Sequence, residues 1–175
     1  DYSINKLSPQ TSSTSLYNTN YYAMNSDFRV YECIYNGALP SNSGAGVISL
    51  EEPTHTDLQP RLESDGYIWK YLYTIKPSDI IKFDSAEYIP VPADWATNSA
   101  VADVRNAAVD GKIETVVIED VTNASYQFNG TKNAVPIRGD GSDGLASVTF
   151  INGKPSAVQV TNGGSGYSFA TLDLD

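Results

Sequence analysis

Few side chains in this sequence are suited to chemistry. The chain has one cysteine, Cys33, and one histidine, His55. Cys33 lies inside an apolar strand pattern, so we expect a buried and unreactive thiol. His55 lies among Thr54, Thr56 and Asp57 in a loop, where we expect a solvated side chain. The sequence therefore offers no set of partners for a zinc site or for a Cys–His catalytic pair.

Acidic pairs and glycine-rich turns do not supply a site either. Glu51-Glu52 and Glu119-Asp120 are sequence neighbours, which point to opposite faces of a strand and so do not share a substrate. Gly163–Gly166 lacks the lysine and hydroxyl of a phosphate-binding loop. Asp140–Gly144 lacks the ligand spacing and terminal glutamate of a calcium loop. We predict no enzyme activity, no catalytic or metal-binding residues and no cofactor.

Charge and hydropathy exclude two classes of partner. The chain has 175 residues and a formal net charge of −10, with 11 basic residues spread thinly along it. Nucleic-acid binding depends on clustered lysine and arginine, so we expect no DNA or RNA partner. No run approaches the roughly 18 apolar residues of a membrane-spanning helix, so we expect no membrane partner.

The stretch that organises the chain is an aromatic strand. From Tyr67 to Ile75 the residues alternate, and the pattern places Tyr67, Trp69, Tyr71, Tyr73 and Ile75 on one face. Asp65-Gly66 predicts a turn before this strand, and Pro77 ends it because proline cannot donate to a ladder. We predict a central strand with Trp69 buried.

Two ordered segments resemble a known family. Asp65–Leu72, followed by Ile75, Pro77 and Glu87–Pro92, resembles a passage in the baseplate wedge subunit of T-even-like contractile-tailed phages. Val30–Ile34 upstream resembles that family's segment of Val-Tyr, a charged residue, Cys and an aliphatic residue. The resemblance covers Phe28–Pro92, and the chain after Pro92 departs from the family's pattern.

This resemblance implies a structural virion protein of a phage tail baseplate, assembled in the host cytoplasm. Such a subunit works through protein–protein contacts, forming a homodimer and joining other baseplate proteins. The resemblance implies a packing role for the matching positions, which are Cys33, Tyr67, Trp69, Tyr71, Leu72 and Tyr88.

The fold class predicted from the patterns is mainly β, with antiparallel strands in a sandwich-like arrangement, one short helix and long loops. We expect an extended arm over residues 1–22, a β domain over 23–110 and a smaller β unit over 111–175. The β domain contains a long loop over 38–62 and the helix over 98–108. Strands are predicted near 28–35, 67–75, 113–121, 146–151 and 156–161, with a short edge strand over Tyr88–Val91 and one helical turn over Ser78–Phe83, capped by Ser78.

The smaller unit carries a weak internal repeat. Passages beginning at Gly111-Lys112 and Gly153-Lys154 each predict a strand followed by a turn. The second passage contains Val160–Tyr167, which resembles a short β repeat in structural proteins of cyanobacterial and other environmental phages. This second resemblance is independent of the first and implies the same kind of source.

Candidate contact residues lie in the arm and beside the helix. Tyr17, Tyr21 and Tyr22 stand in a polar terminus, which is either a disordered end or an arm that docks on another surface. The alternative to a virion subunit is a carbohydrate-binding or adhesin-like β module. That alternative requires Trp95, or tyrosines near it, to be exposed in a concave patch.

Overall fold

The computed structural model describes residues 22–37, 46–83, 88–118 and 121–174. The chain divides into two compact units, Asp1–Ala107 and Ala108–Asp175, whereas the sequence predicted a boundary after residue 110. Each unit contains one four-stranded sheet in which every paired strand is antiparallel. The predicted mainly β fold class, with antiparallel strands and long loops, is confirmed.

The first unit is built around the predicted aromatic strand. Its strands are β1 (Tyr22–Met24), β2 (Arg29–Asn36), β3 (Arg61–Leu62) and β4 (Tyr67–Thr74), in the sheet order β1-β2-β4-β3. The predictions for 28–35 and 67–75 are confirmed to within one residue at each end. β4 lies between β2 and β3, so it is an interior strand, as the sequence predicted.

A bulge breaks the alternation of β4. Val30 pairs with Tyr73 and Tyr31 pairs with Tyr71, which leaves Leu72 as an extra residue in β4. Opposed residues share a face of an antiparallel pair, and the consecutive residues Val30 and Tyr31 point to opposite faces. Tyr73 therefore lies on the opposite face from Tyr71. The prediction of a single aromatic face from Tyr67 to Ile75 is wrong beyond Leu72.

The two faces of this sheet carry separate cores. The helix-side cluster consists of Val30, Tyr73, Ile75 and Val101. The aromatic cluster on the other face consists of Tyr31, Cys33, Tyr67 and Trp69. The bulge thus allows one strand to supply large rings to both cores.

Two short α-helices follow β4. The first, α1 (Pro77–Phe83), begins at a proline, which suits the first helical position because its missing amide hydrogen would have no partner there. A 3₁₀ turn (Ser99–Val101) leads into α2 (Ala102–Ala107), and the Asn98 side chain accepts a hydrogen bond from the Ala100 amide at 2.9 Å. The helix predicted over 98–108 is confirmed, but the described chain has two short helices rather than one.

The edge strand predicted over Tyr88–Val91 is not formed. Pro90 and Pro92 have no amide hydrogen to donate to a ladder. The segment is held instead by the Tyr73 hydroxyl, which donates to the Pro90 carbonyl at 3.1 Å, and by Ile89, which packs on the helix-side cluster.

The second unit has the sheet order β7-β6-β5-β8. Its strands are β5 (Gly130–Gly139), β6 (Ser142–Ile151), β7 (Lys154–Ser165) and β8 (Ala170–Leu172). The strands predicted at 146–151 and 156–161 are confirmed as parts of the longer β6 and β7. Its core is Val135, Val148 and Phe150, with Tyr126, Val158, Leu172 and Leu174 packed against it.

The strand predicted over 113–121 is wrong for residues 113–118, and residues 119–120 lie outside the described chain. The Ile113 amide donates to the Gly163 carbonyl at 2.9 Å, but no ladder follows. Valine and isoleucine favour a strand only where a neighbouring edge accepts their backbone hydrogen bonds. The two passages of the predicted repeat therefore differ, since the second forms β7 and the first forms no strand.

The glycines before Tyr167 make room for its ring. Gly141, Gly144 and Gly164 all border this side chain, and a Cβ atom at any of them would lie 2.5 to 2.8 Å from a Tyr167 side-chain atom. The Tyr167 hydroxyl donates to the Ile137 carbonyl at 2.8 Å and accepts from the Gly144 amide at 3.1 Å. Within the motif Gly163–Gly166, Gly164 thus serves the packing of this ring.

Candidate functional site

A segment that we call the strap, residues 46–57, lies alongside β2. At the end of β2, the Val47 amide donates to the Asn36 carbonyl at 3.1 Å. At the start of β2, the Arg29 guanidinium donates to the Thr54 carbonyl. Because the strap passes Asn36 before Arg29, it runs in the opposite direction to β2. This is the described part of the loop predicted over 38–62, of which residues 38–45 lie outside the described chain.

The far end of the strap is attached to the turn between β1 and β2. The buried Asn25 side chain donates to the Pro53 carbonyl at 2.9 Å. The Ser26 amide donates to the Glu52 carboxylate at 2.5 Å. This hydrogen bond lowers the pKa of Glu52 below its ordinary value.

Asp65 fixes the near end of the strap to the turn before β4. Its Oδ2 atom accepts from the Leu50 amide at 2.8 Å, the Glu51 amide at 3.0 Å and the Ser49 hydroxyl at 3.0 Å. Its Oδ1 atom accepts from the Tyr67 amide at 3.1 Å. Partial burial raises the pKa of Asp65, but these hydrogen bonds outweigh it and lower the pKa below its ordinary value of 3.8.

Replacing Asp65 with alanine should loosen the strap. We expect a loss of about 1–2 kcal/mol in the free energy of unfolding, because amides that donated to a carboxylate lose their acceptor. The pKa of Asp65 is lowered on folding, so its contribution is present above pH 3.8 and declines as the pH falls below that value. Denaturant unfolding at pH 7 and pH 3 measures both effects.

The matched control for Asp65→Ala is Asp57→Ala. Asp57 is exposed and forms an i,i+4 ion pair with Arg61 at 3.6 Å. Exposed pairs of this kind contribute little to stability. Equal losses in the two variants would contradict the anchoring role of Asp65.

His55 is buried, so the expectation of a solvated loop histidine is wrong. Its residue is 7% exposed, and its ring lies 5.4 Å from that of Tyr31 in an edge-on arrangement. The Tyr31 hydroxyl donates to the His55 carbonyl at 2.8 Å. The strap carries His55 onto the aromatic cluster, which pattern analysis of a non-periodic loop does not reveal.

Most of the positions for which the resemblance implied a packing role are buried or half-buried. Cys33, Tyr67 and Trp69 are buried in the aromatic cluster, and the half-buried Tyr71 packs against it. Tyr67 stacks on Trp69 with their ring centroids 5.4 Å apart. Leu72, the bulge residue, packs instead against the helix-side cluster.

Tyr88 does not have the packing role that the resemblance implied. The residue is 72% exposed. Its neighbour Ile89 packs against the helix-side cluster instead, and Tyr88 is exposed.

The candidate contact residues have different surroundings. Tyr17 and Tyr21 lie outside the described residues. Tyr22 is exposed at the start of β1. Trp95 is half-buried in the helix-side cluster, edge-on to Tyr73 at 5.9 Å, and its carbonyl accepts from Arg105 at 2.7 Å. Trp95 therefore does not provide the exposed ring that the sugar-binding alternative requires.

Large exposed apolar side chains occur on α1 and in residues 88–91. We call Ile81, Phe83, Tyr88 and Val91 the apolar group, and their residues are 87%, 62%, 72% and 67% exposed. The backbone that carries them is fixed, because Ile80 and Ile89 pack on the helix-side cluster. The sequence did not predict this group, although the apolar residues Ile80, Ile81 and Phe83 in a short helix were a visible signal.

A cavity of about 340 Å³ in the second unit lies between residues 111–116 and 167–172. Lys112 is the one charged residue among those that line it. In the described part of the chain, no three His, Cys, Asp or Glu side chains gather as metal ligands.

Comparisons with other proteins give no family. No protein-family model, curated protein or solved structure matches this chain. Within the described ranges, no helix has the length and apolar character needed to cross a membrane.

Proposed function

We propose that this chain is a structural subunit of a phage tail baseplate and that it acts through protein–protein contacts. The observation that carries the proposal is the apolar group, Ile81, Phe83, Tyr88 and Val91, exposed on a fixed backbone. Single exposed apolar residues are common on protein surfaces. Four large ones lie within eleven residues of sequence, each more than 60% exposed, and we propose that a partner covers them.

The way these residues are held supports a permanent contact rather than a mobile loop. α1 is attached to the sheet through Ile80, and the segment at Pro90 is attached through the Tyr73 hydroxyl. A rigid apolar surface loses little conformational entropy when a partner binds it. This suits a subunit whose role is mechanical.

The baseplate assignment rests on the resemblance of Asp65–Leu72 and Glu87–Pro92 to the phage wedge subunit. In the first of these segments, the matching rings pack as a core strand. In the second, Tyr88 and Val91 contribute to the apolar group. The wedge-like motif and the surface suited to assembly are therefore adjacent in the sequence.

Replacing Ile81 and Phe83 together with serine tests this proposal. We expect binding to proteins encoded by the neighbouring genes to weaken at least ~10-fold, because Ile81 and Phe83 point to different sides of the helix and burial of one large apolar side chain contributes roughly 1.5–3 kcal/mol. The melting temperature should stay unchanged, since both side chains are exposed in the free chain. Sedimentation velocity of the mixtures measures the binding.

Lys82→Ser is the matched control, because Lys82 is an exposed residue of the same helix between the two changed positions. It should bind as the unchanged chain does. If the double variant and the control bind equally well, α1 is not the contact surface. If the unchanged chain binds none of the neighbouring proteins and does not self-associate, the proposed function is wrong.

A further inference from the structure

The strap buries a histidine that has no hydrogen-bond partner. Neither ring nitrogen of His55 has a hydrogen-bond partner, and both atoms are shielded from solvent. Buried polar atoms without partners are uncommon in folded proteins, and each calls for a physical explanation. A neutral imidazole tolerates this environment better than an imidazolium, which has two N–H donors and a full charge.

The charges near His55 come from the strap, from β3 and from Glu63, which follows β3. The carboxylates of Glu63 and Asp57 favour the imidazolium, and so does the Trp69 backbone, which lies near the ring but outside normal hydrogen-bond geometry. The Arg61 guanidinium opposes it. Burial raises the pKa of Tyr31, so its hydroxyl is uncharged at neutral and acid pH, and the Tyr71 ring packs edge-on to the Tyr31 ring. Burial has the largest influence on His55, and it lowers the pKa below its ordinary value of 6.5.

We propose that the strap is an acid-sensitive latch, in which protonation of His55 lifts residues 46–57 from the sheet and exposes the aromatic cluster. In the closed state, the His55 ring packs on Tyr31 and shields it, and the residue of Tyr31 is fully buried. An imidazolium in this position is a buried charge with only a poorly placed backbone acceptor at Trp69, so it favours the open state, in which water reaches it.

The pattern of hydrogen bonds makes local opening of the strap easier than unfolding of the sheet. The strap is held by separate side-chain and backbone hydrogen bonds at Asn36, Asn25, Arg29 and Asp65. The ladders between β1, β2, β3 and β4 contain no strap residue. The strap can therefore leave while the sheet stays paired, as low-stability segments of proteins do.

The sign of the pH dependence follows from the lowered pKa of His55. The open state binds the proton more tightly than the closed state, so acid shifts the population toward the open state. The closed strap is fully favoured above about pH 6.5, and this preference declines as the pH falls below that value. Two carboxylates, Asp65 and Glu52, help to hold the strap closed. Their ordinary pKa values are 3.8 and 4.5, and hydrogen bonds lower both, so these carboxylates stay ionised at pH 5.

Cys33 provides a probe of opening. It is the single cysteine of the chain, it is buried, and it belongs to the aromatic cluster. We would measure its reaction rate with 4,4′-dithiodipyridine, a disulfide reagent that remains reactive at acid pH, from pH 7.5 to pH 5. The rate in urea-unfolded chain at each pH corrects for the intrinsic reactivity of the thiol.

We expect the corrected rate to rise by up to about tenfold for each pH unit below 6.5, because one proton is linked to opening. Far-UV circular dichroism should stay constant over the same range. In His55→Gln and His55→Phe, which have no titrating ring, the corrected rate should not change with pH. If neither variant folds, Asp65→Ala serves instead, and it should raise the corrected rate at every pH while leaving the pH dependence unchanged.

Three results would overturn the latch. The first is a corrected rate in the unchanged chain that does not vary with pH. The second is the same pH dependence in a folded His55 variant. The third is a loss of the β-sheet signal in step with the labelling of Cys33, which would show unfolding of the whole unit. None of these measurements depends on a partner, so they do not test the proposed assembly function.

Discussion

Replacing Trp69 with alanine should lower the free energy of unfolding by about 3–5 kcal/mol. Trp69 is buried on the interior strand β4, opposite Cys33 of β2 and Arg61 of β3. Its ring stacks on Tyr67 and its Nε1 atom has no hydrogen-bond partner, so packing alone accounts for the loss. Denaturant unfolding followed by far-UV circular dichroism measures it.

Two variants accompany Trp69→Ala. Trp69→Phe keeps a ring against Tyr67 and should lose less than half as much stability. Tyr88→Ala removes a ring from a residue that is largely exposed and should leave the stability unchanged. An unchanged unfolding midpoint for Trp69→Ala would show that the aromatic cluster is not a core.

Replacing Phe150 with alanine should have a similar effect, about 3–5 kcal/mol, on the second unit. Phe150 is almost fully buried beside Val135 and Val148, and the rings of Tyr126 and Phe128 lie edge-on to it at 5.2 and 5.7 Å. Pairs of this geometry stabilise a core beyond the area that they bury. Denaturant unfolding followed by far-UV circular dichroism should show a transition at a lower denaturant concentration.

The position of the tryptophans allows the effect to be assigned to a unit. The chain has two tryptophans, Trp69 and Trp95, and both belong to the first unit. We expect Phe150→Ala to change the circular dichroism transition more than the tryptophan fluorescence transition. The control is Phe169→Ala, at an exposed residue of the second unit, which should change neither. A stable Phe150→Ala variant would contradict the core of that unit.

The sequence predicted the elements whose pattern is local. β2 and β4 follow from apolar and aromatic alternation between turn residues, and the helix near Ser99 follows from the spacing of its apolar residues. The bulge at Leu72 was not predictable in this way, because it exists only in the pairing of Tyr31 with Tyr71 and of Val30 with Tyr73. Register is a property of two strands together.

The other features that the sequence did not predict also depend on contacts between residues that are distant in the chain. His55 is buried because Asn25, Arg29 and Asp65 hold the strap, and none of these lies within five residues of it. Residues 113–118 have a strand composition but meet no open edge that extends the pairing begun at Ile113. β1, β3 and β8 are three residues long or shorter, which is too short for a periodic signal.

The candidate surface was harder to predict than the core. A short helix with apolar residues on two sides looks the same in sequence whether one side is buried or both are. In the structure, Ile80 packs inward while Ile81 and Phe83 are exposed. The burial of Ile80 and not of Ile81 follows from where α1 attaches to the sheet.

Hydrogen exchange measured by mass spectrometry tests the assembly proposal most directly. The chain would be exchanged alone and in a mixture with the proteins encoded by its neighbouring genes. The proposal predicts slower exchange in the complex for peptides that cover Pro77–Phe83 and residues 88–91, because a bound partner shields these backbones from solvent. A stable complex whose exchange is unchanged over both segments would contradict the proposed contact surface, and the absence of any complex would contradict the proposed function.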